Sequence, residues 1–480
     1  MRKRIFITGA TGVMGSATLE AFLSELNKYE LYVLARPSKK NRHKLAKILH
    51  RDFVNVIWGD LCDYTSVSLG VRHADVVLHI GGMVPPAADY HPQQTMRVNV
   101  TAAENIVNAI KTRADCDDVS LVYIGSIAQT SGRHEPFHWG RTGDPVMASA
   151  FDSYGLSKIL AERIIAESGL KRWVSLRQSG ILYPSLLSKG LDPFTFHVPL
   201  RGVLEWTTIE DSARLMLKIC GDNVPESLWR NFYNVGSGPS YRMSNYKFMT
   251  KVLRAIKCPP ADKIFEPNWF ATGNFHGFWF SDSDRLENLL HFRENRPFDQ
   301  YFANMAKKVP SYFKLAGIIP ARLIKMVMHR IASTPGYGTL DWIKKADSEK
   351  IIAYFGSLEA YSAIPEWKDF DLSEPLDKAI ILNHGYDESK PMSELGIKDM
   401  RDAAAFRGGK CETSEMDAGS LDTPLQWRCG RGHRFSATPR SVLLGGHWCP
   451  ECLPPPWRYD EEAMFNKFLA QLQPNKRAGC

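Results

Sequence analysis

No apolar run in this chain approaches the length of a membrane span, and there is no low-complexity tract or internal repeat. Those absences exclude a helical membrane protein, a disordered chain and a solenoid. A signal peptide's apolar core is lacking too, since Met1-Arg2-Lys3-Arg4 is followed only by Ile5-Phe6-Ile7 before Thr8-Gly9. There is no disulfide framework: the nine cysteines are an odd count, and Cys62, Cys116, Cys220 and Cys258 are scattered without pattern. A reducing compartment follows, and the chain reads as cytoplasmic. Its charge of +8 is mild for 480 residues, so it permits an anionic cofactor, an acidic membrane or nucleic acid without demanding any of them. What remains is globular composition, 44% hydrophobic and 23% charged, in a chain long enough for two or three domains.

The first chemistry-bearing pattern is Gly9-Ala10-Thr11-Gly12-Val13-Met14-Gly15, between a short apolar strand (Arg4 to Ile7) and an apolar-periodic helix. Gly9 allows a tight turn, Gly12 admits a pyrophosphate to the backbone at the helix N-terminus, and Gly15 lets helix and strand pack closely. Thr11, Val13 and Met14 lie in the same turn. A dinucleotide site that holds a ribose 2′-hydroxyl needs Asp or Glu at the end of the second strand. This chain has Ala35-Arg36, backed by Lys39, Lys40 and Arg42. Arg36 suits a 2′-phosphate, so NADP(H) is expected ahead of NAD(H); a solvated basic loop is the plainer reading. Strands and helices alternate onward, which predicts a parallel sheet covered on both faces. That places Asp60, Leu61, Gly81 and Gly82 at strand carboxyl ends on the cofactor side, with Asp60 either accepting from the adenine amino group or capping the next helix.

Tyr154 and Lys158 are four apart and so share a helical face. A phenol with an ordinary pKa near 10 becomes a usable proton donor at neutral pH when an ammonium and a cationic ring stabilise its phenolate. Ser126 closes the strand ending Ile124-Gly125 and is placed to hydrogen-bond a reacting oxygen. Phe137, Trp139, Tyr183 and Trp206 are candidates for an apolar wall around a ring-shaped substrate, or for core.

The pattern Thr8-Gly9-x-x-Gly12-x-x-Gly15, with Asp60-Leu61, Ser126 and Tyr154-x-x-x-Lys158, resembles the extended short-chain dehydrogenase/reductases of the NAD(P)-dependent epimerase/dehydratase kind, over roughly residues 1 to 300. The resemblance implies a Rossmann-type doubly wound α/β fold with a small substrate-binding subdomain. Tyr154 would be proton donor and acceptor, Lys158 would hold the nicotinamide ribose and tune Tyr154, and Ser126 would hold the substrate oxygen. It also implies dimers through paired helices. Two departures narrow the reaction. Ser126 is followed by Ile127-Ala128, not by the Asp-Glu pair of the dehydratases, and Gln178 stands where the family usually has proline. The main expectation is an NADPH-dependent reductase acting on a carbonyl or alcohol of a small, bulky metabolite. An NAD(P)-dependent sugar epimerase is the nearest alternative. A dinucleotide-sensing regulator that binds protein or nucleic acid ranks behind both, because the Tyr-Lys pair is intact.

Residues 301–400 read as a helical extension and linker, with a basic amphipathic stretch from Tyr312 to Ala332 broken near Pro320. That stretch is expected to pack on the reductase part, with a membrane-surface role as the alternative. Residues 401–480 form a third unit. Cys429-x-x-x-His433 and Cys449-x-x-Cys452 have the donors and spacing of a closed tetrahedral zinc site, structural in kind, in a segment that resembles a treble-clef ribbon. Cys411 is an alternative to His433. Arg428, Arg431, Arg434 and Arg440 with Trp427 and Trp448 admit nucleic acid as a partner, ranked below oligomer contact or active-site capping.

Overall fold

A computed structural model describes residues 2–455 and 457–472; the side chains of Tyr312 and of residues 314–316, including Lys314 and Leu315 of the amphipathic stretch, lie outside that description, as do Met1 and Cys480. Seven parallel strands form the central sheet: β1 (Lys3–Thr8), β2 (Tyr29–Ala35), β3 (Val54–Trp58), β4 (Val76–His79), β5 (Ser120–Ser126), β6 (Trp173–Gln178) and β7 (Asn231–Val235). Their order is β7-β6-β5-β4-β1-β2-β3. The chain is therefore Rossmann-type α/β, and its strand order reverses between β1 and β4, where such sheets bind ligands.

Both faces of the sheet are dry. In β1, Ile5 and Ile7 enter one buried cluster while Phe6 enters the other. β4 repeats the alternation with Val76 and Leu78 against Val77, and β5 with Val122 and Ile124 against Leu121 and Tyr123. Successive strand side chains point to opposite faces, so near-continuous apolar strands require cover on both. Helix α1 (Val13–Leu23) packs with Ile209–Ile219, and α2 (Pro92–Lys111) packs with α3 (Ser153–Ala166).

The C-terminal third builds small helices and then a three-stranded antiparallel sheet, β8 (Lys410–Cys411), β9 (Leu425–Arg428) and β10 (Arg434–Ala437). Trp427 is completely buried there, in a separate core with Leu425, Phe435 and Leu443. This unit docks on α3. Leu453 packs on Leu156 and Ile159, Arg163 donates to the Trp448 carbonyl at 2.6 Å, and the Thr438 amide donates to Glu167 at 3.0 Å. No residue of α3 is exposed, the C-terminal unit covering part of that helix.

Candidate active site

The glycine turn is closed by sterics. Gly9 has φ +73° and accepts from the Gly12 amide at 2.9 Å. A Cβ on Gly9 would lie 2.6 Å from the Gly81 Cα, and one on Gly15 would lie 2.1 Å from the Gly9 carbonyl oxygen. Larger residues at either place would push β1, β4 and α1 apart. Gly12 is the N-cap of α1 with no side-chain cap, leaving the first amides of that helix for an anion. Thr8 fixes the neighbouring strand ends: its hydroxyl accepts from the Gly81 amide at 3.0 Å and lies 3.0 Å from His79 Nδ1.

Arg36 follows β2 directly and is exposed, as are Lys39 and Lys40. Arg42 lies over the Trp58 ring at 4.7 Å. Lys44, which the spacing argument passed over, donates to the Thr11 carbonyl at 2.7 Å and so ties this basic segment to the glycine turn. Asp60 does not cap a helix. Asp63 does, accepting from the Thr65 and Ser66 amides, while Asp60 takes the Cys62 amide at 2.8 Å in the turn beside Leu61.

Ser126 ends β5 and begins a 3-10 turn, accepting from the Ala128 amide at 3.2 Å. Asp152 caps α3 through the Gly155 amide at 2.7 Å, which sets Tyr154 in the first turn, buried and hydrogen-bonded to Ser126. Lys158 is one turn further on, buried, donating to the Ile124 carbonyl at 2.8 Å with its ammonium 5.0 Å from the Tyr123 ring centre. Ser126, Tyr154 and Lys158 thus meet at the carboxyl edge of β5. Burial pushes the Tyr154 phenol up to about 12, against the Ser126 hydrogen bond and with Asp152 and Asp89 adding to the rise. Burial likewise draws Lys158 down to about 8, with Glu162 opposing. The spacing puts the pair on one face, but the ammonium is bonded to backbone and does not act on the phenol in this geometry.

Asn99 is a site residue that sequence reasoning missed. It is buried in α2, accepts from the Met83 amide at 2.7 Å and donates to Ser157 Oγ at 2.9 Å. A Cβ on Gly82 would lie 2.8 Å from its Oδ1 and 3.8 Å from Lys158 Nζ. Asn99 therefore joins the β4 loop to the helix of Tyr154 and Lys158. Its signal was a polar residue on the core-facing stripe Thr95, Asn99, Ala102, Ala103, Ile106.

A cavity of about 300 Å³ opens at the start of α3, lined by Asp89, Pro92, Phe151, Ser153, Tyr337, Lys350 and Trp457 but not by Tyr154 itself. None of the four aromatics proposed from sequence lines it. Trp139 packs on Trp279 at 5.5 Å, Trp206 stacks on Phe248 at 4.2 Å, and Tyr183 packs against the sheet core. Phe137 is not among the lining residues. Three of the residues that do line it come from the C-terminal third, whose docking no local pattern encodes. Lys350 lies 3.4 Å from the Phe151 ring centre, and burial lowers it to about 8, while Asp89 is raised by burial and by Asp152 to about 7.

The second cluster is Cys429, His433, Cys449 and Cys452, whose ligand atoms all lie within 4.8 Å of one another. Cys429 and Cys452 sulfurs are 3.9 Å apart, and His433 Nδ1 is 3.5 Å from Cys449 and 3.4 Å from Cys452. Tetrahedral zinc with sulfur bonds of about 2.3 Å sets sulfurs about 3.8 Å apart, so the donor set fits that ion. Cys411 is outside the cluster; it pairs with Trp427 in the sheet and is buried in the core.

Residues 5–178 match the NAD dependent epimerase/dehydratase family. Among curated relatives, UDP-N-acetylglucosamine 4,6-dehydratase (inverting) of Campylobacter jejuni is 27% identical over 108 residues, 22% of this chain and 32% of that protein. UDP-glucose 4-epimerase of Rickettsia akari is 30% identical over 111 residues, again 22% and 32%. The chain thus spans about a third of the length of the curated relatives it matches. Two solved structures share the fold. dTDP-glucose 4,6-dehydratase of Bacillus anthracis, in complex with NAD, has TM-score 0.50 and 15% identity, covering 65% of this chain and 97% of that one. The Bordetella bronchiseptica enzyme WbmG, in complex with NAD and UDP, has TM-score 0.51 and 18% identity, covering 66% and 98%. No described helix is long and apolar enough to cross a membrane.

Proposed function

We propose that the chain is an NAD(P)-dependent enzyme that oxidises a secondary alcohol of a small ring-shaped substrate and reduces it again, as an epimerase does. The observation that carries this reading is the meeting of Ser126, Tyr154 and Lys158 at the edge of β5, beside the glycine turn. The names of the matched relatives favour this cycle over one-way carbonyl reduction. The missing Asp-Glu pair after Ser126 argues against elimination chemistry. One-way reduction with NADPH keeps one supporting observation, the exposed Arg36 where a 2′-hydroxyl contact would be acidic.

The residues present fit a dinucleotide: the Gly9 and Gly15 positions leave no room for a Cβ, and the uncapped start of α1 suits a pyrophosphate. Arg36 and Lys44 would hold the adenosine end, and Lys158 the nicotinamide ribose. The bound nicotinamide supplies a hydride acceptor and donor. Tyr154 removes the proton from the substrate hydroxyl and later returns it, Ser126 holds the same oxygen, and Asn99 keeps α3 in register with the β4 loop. The positive nicotinamide and the Lys158 ammonium would bring the phenol down from its buried value. Lys350 and Asp89 would hold the far side of the substrate. The Cys/His cluster would hold structural zinc through four protein ligands, with no open position. Metal analysis of the purified protein is expected to give one zinc per chain, lost in Cys449→Ser.

The test is Tyr154→Phe with cofactor binding read separately. Turnover should fall on the order of a hundredfold or more, while the thermal shift given by NADPH and NADH stays as in the unaltered protein. Undiminished turnover overturns the assignment. Retained NAD(P) and an unchanged substrate oxidation state identify the epimerase cycle; stoichiometric NADPH consumption identifies the reductase.

A further inference from the structure

One exposed surface contributes no residue to the glycine turn or to the cavity. The basic amphipathic stretch breaks at Pro320 as expected, into a 3-10 turn (Ser311–Ile318) and helix α4 (Ala321–Ala332). One side packs inward: Ala321, Ile324, Met328 and Ile331 lie against the cluster of Phe196, Phe265 and Trp269. The other stays uncovered, with Leu323 49%, Met326 63% and Val327 50% exposed, continued by Ile318 at 78% and Ile319 at 43%. Leu323, Met326 and Val327 have i, i+3, i+4 spacing, so they form one continuous stripe.

The unpaired charges around that stripe, among the described residues, are of one sign. Arg322 and Arg330 are exposed on α4, and Lys257 is exposed where its carbonyl would meet a Cβ on Gly317 at 2.7 Å. Lys307 and Lys308 lead into the 3-10 turn, also exposed. None of these five has a carboxylate within 4 Å among the described residues, whereas the nearby acids are already paired, Asp262 with Lys263 and Glu266 with Lys325. Large apolar side chains between unpaired cations suit a surface that offers hydrocarbon beneath anionic groups. A second copy of this chain does not: a two-fold contact sets the same patch against itself and would bring the cationic rims together.

We propose that the face formed by Ile318, Ile319, Leu323, Met326 and Val327 rests on an anionic lipid bilayer, with Arg322, Arg330 and Lys257 at the headgroup level. The protein lies on the surface and does not cross it. This placement is independent of the catalytic reading, because none of these residues lines the cavity or the glycine turn.

The test is co-sedimentation of the full chain with vesicles of phosphatidylcholine alone and of phosphatidylcholine mixed with phosphatidylglycerol. Binding should be on the order of tenfold tighter to the mixed vesicles and fall with added salt. Replacing Leu323, Met326 and Val327 with Ser should abolish it, and Arg322→Gln with Arg330→Gln should remove the preference for phosphatidylglycerol. Unchanged thermal unfolding and an unchanged NADPH shift show that the variants are folded. No binding by the unaltered protein, equal binding to both vesicles, or a serine variant that binds undiminished overturns the proposal. So does self-association without lipid that the serine variant loses, which assigns the face to a second copy.

Discussion

Glu162 Oε1 and His447 Nε2 lie 2.8 Å apart with both side chains fully buried, joining the helix of Tyr154 and Lys158 to the segment that carries Cys449 and Cys452. Arg177 completes the contact. Its guanidinium donates to both Glu162 oxygens, at 2.6 and 3.1 Å, and to the Gly445 carbonyl at 2.6 Å. One buried carboxylate therefore holds the sheet, α3 and the C-terminal unit together.

Glu162→Gln leaves the Arg177 charge buried without its counterion and should cost about 3–5 kcal/mol in urea unfolding. Burial acts to raise Glu162, yet the Arg177 guanidinium and the His447 hydrogen bond hold it well below the usual carboxylate range. A depressed folded pKa gives stability that is present above the unfolded value of 4.5 and is lost as pH falls below it. Unfolding measured from neutral pH down through 4.5 should show that loss in the unaltered protein and a flatter profile in Glu162→Gln.

Lys158 gives the opposite sign. Burial lowers it from 10.5 to about 8, so between these values the unfolded chain holds more protons than the folded one. Its contribution to stability therefore rises with pH across that window. Comparison of the cofactor-free protein with Lys158→Met should show the variant ahead below pH 8, with the gap closing by a few kcal/mol toward pH 10.5. A gap that does not change with pH would mean that the ammonium is not buried.

Arg36→Glu separates the two dinucleotides. Removing the guanidinium and adding a carboxylate should weaken NADPH on the order of tenfold or more, with NADH unchanged or improved, read by thermal shift. Lys44→Gln should weaken both alike, since Lys44 ties the basic segment to the Thr11 carbonyl. Equal effects from both variants would assign Arg36 to solvent.

What was local could be read from the chain. Glycine spacing needs only two backbones in contact, period-two apolar strands report two dry faces, a four-residue interval sets Tyr154 and Lys158 on one helical face, and Cys-x-x-x-His with Cys-x-x-Cys brings four donors within reach of one ion. Of the two roles open to Asp60, the cap falls instead to Asp63, three residues closer to the helix and immediately before its first residue.

Sequence alone thus determined the doubly wound sheet, the Ser126, Tyr154 and Lys158 set and the Cys/His cluster, because each depends on spacing within one element or on a strand's end. Only the tertiary structure decided what covers them. It placed Lys350, Tyr337 and Trp457 around the cavity, set Asn99 between the β4 loop and α3, and seated His447 on Glu162. These contacts join residues far apart in the chain, fixed by how separately built cores fit together, and that fit leaves no periodic trace in the amino-acid order.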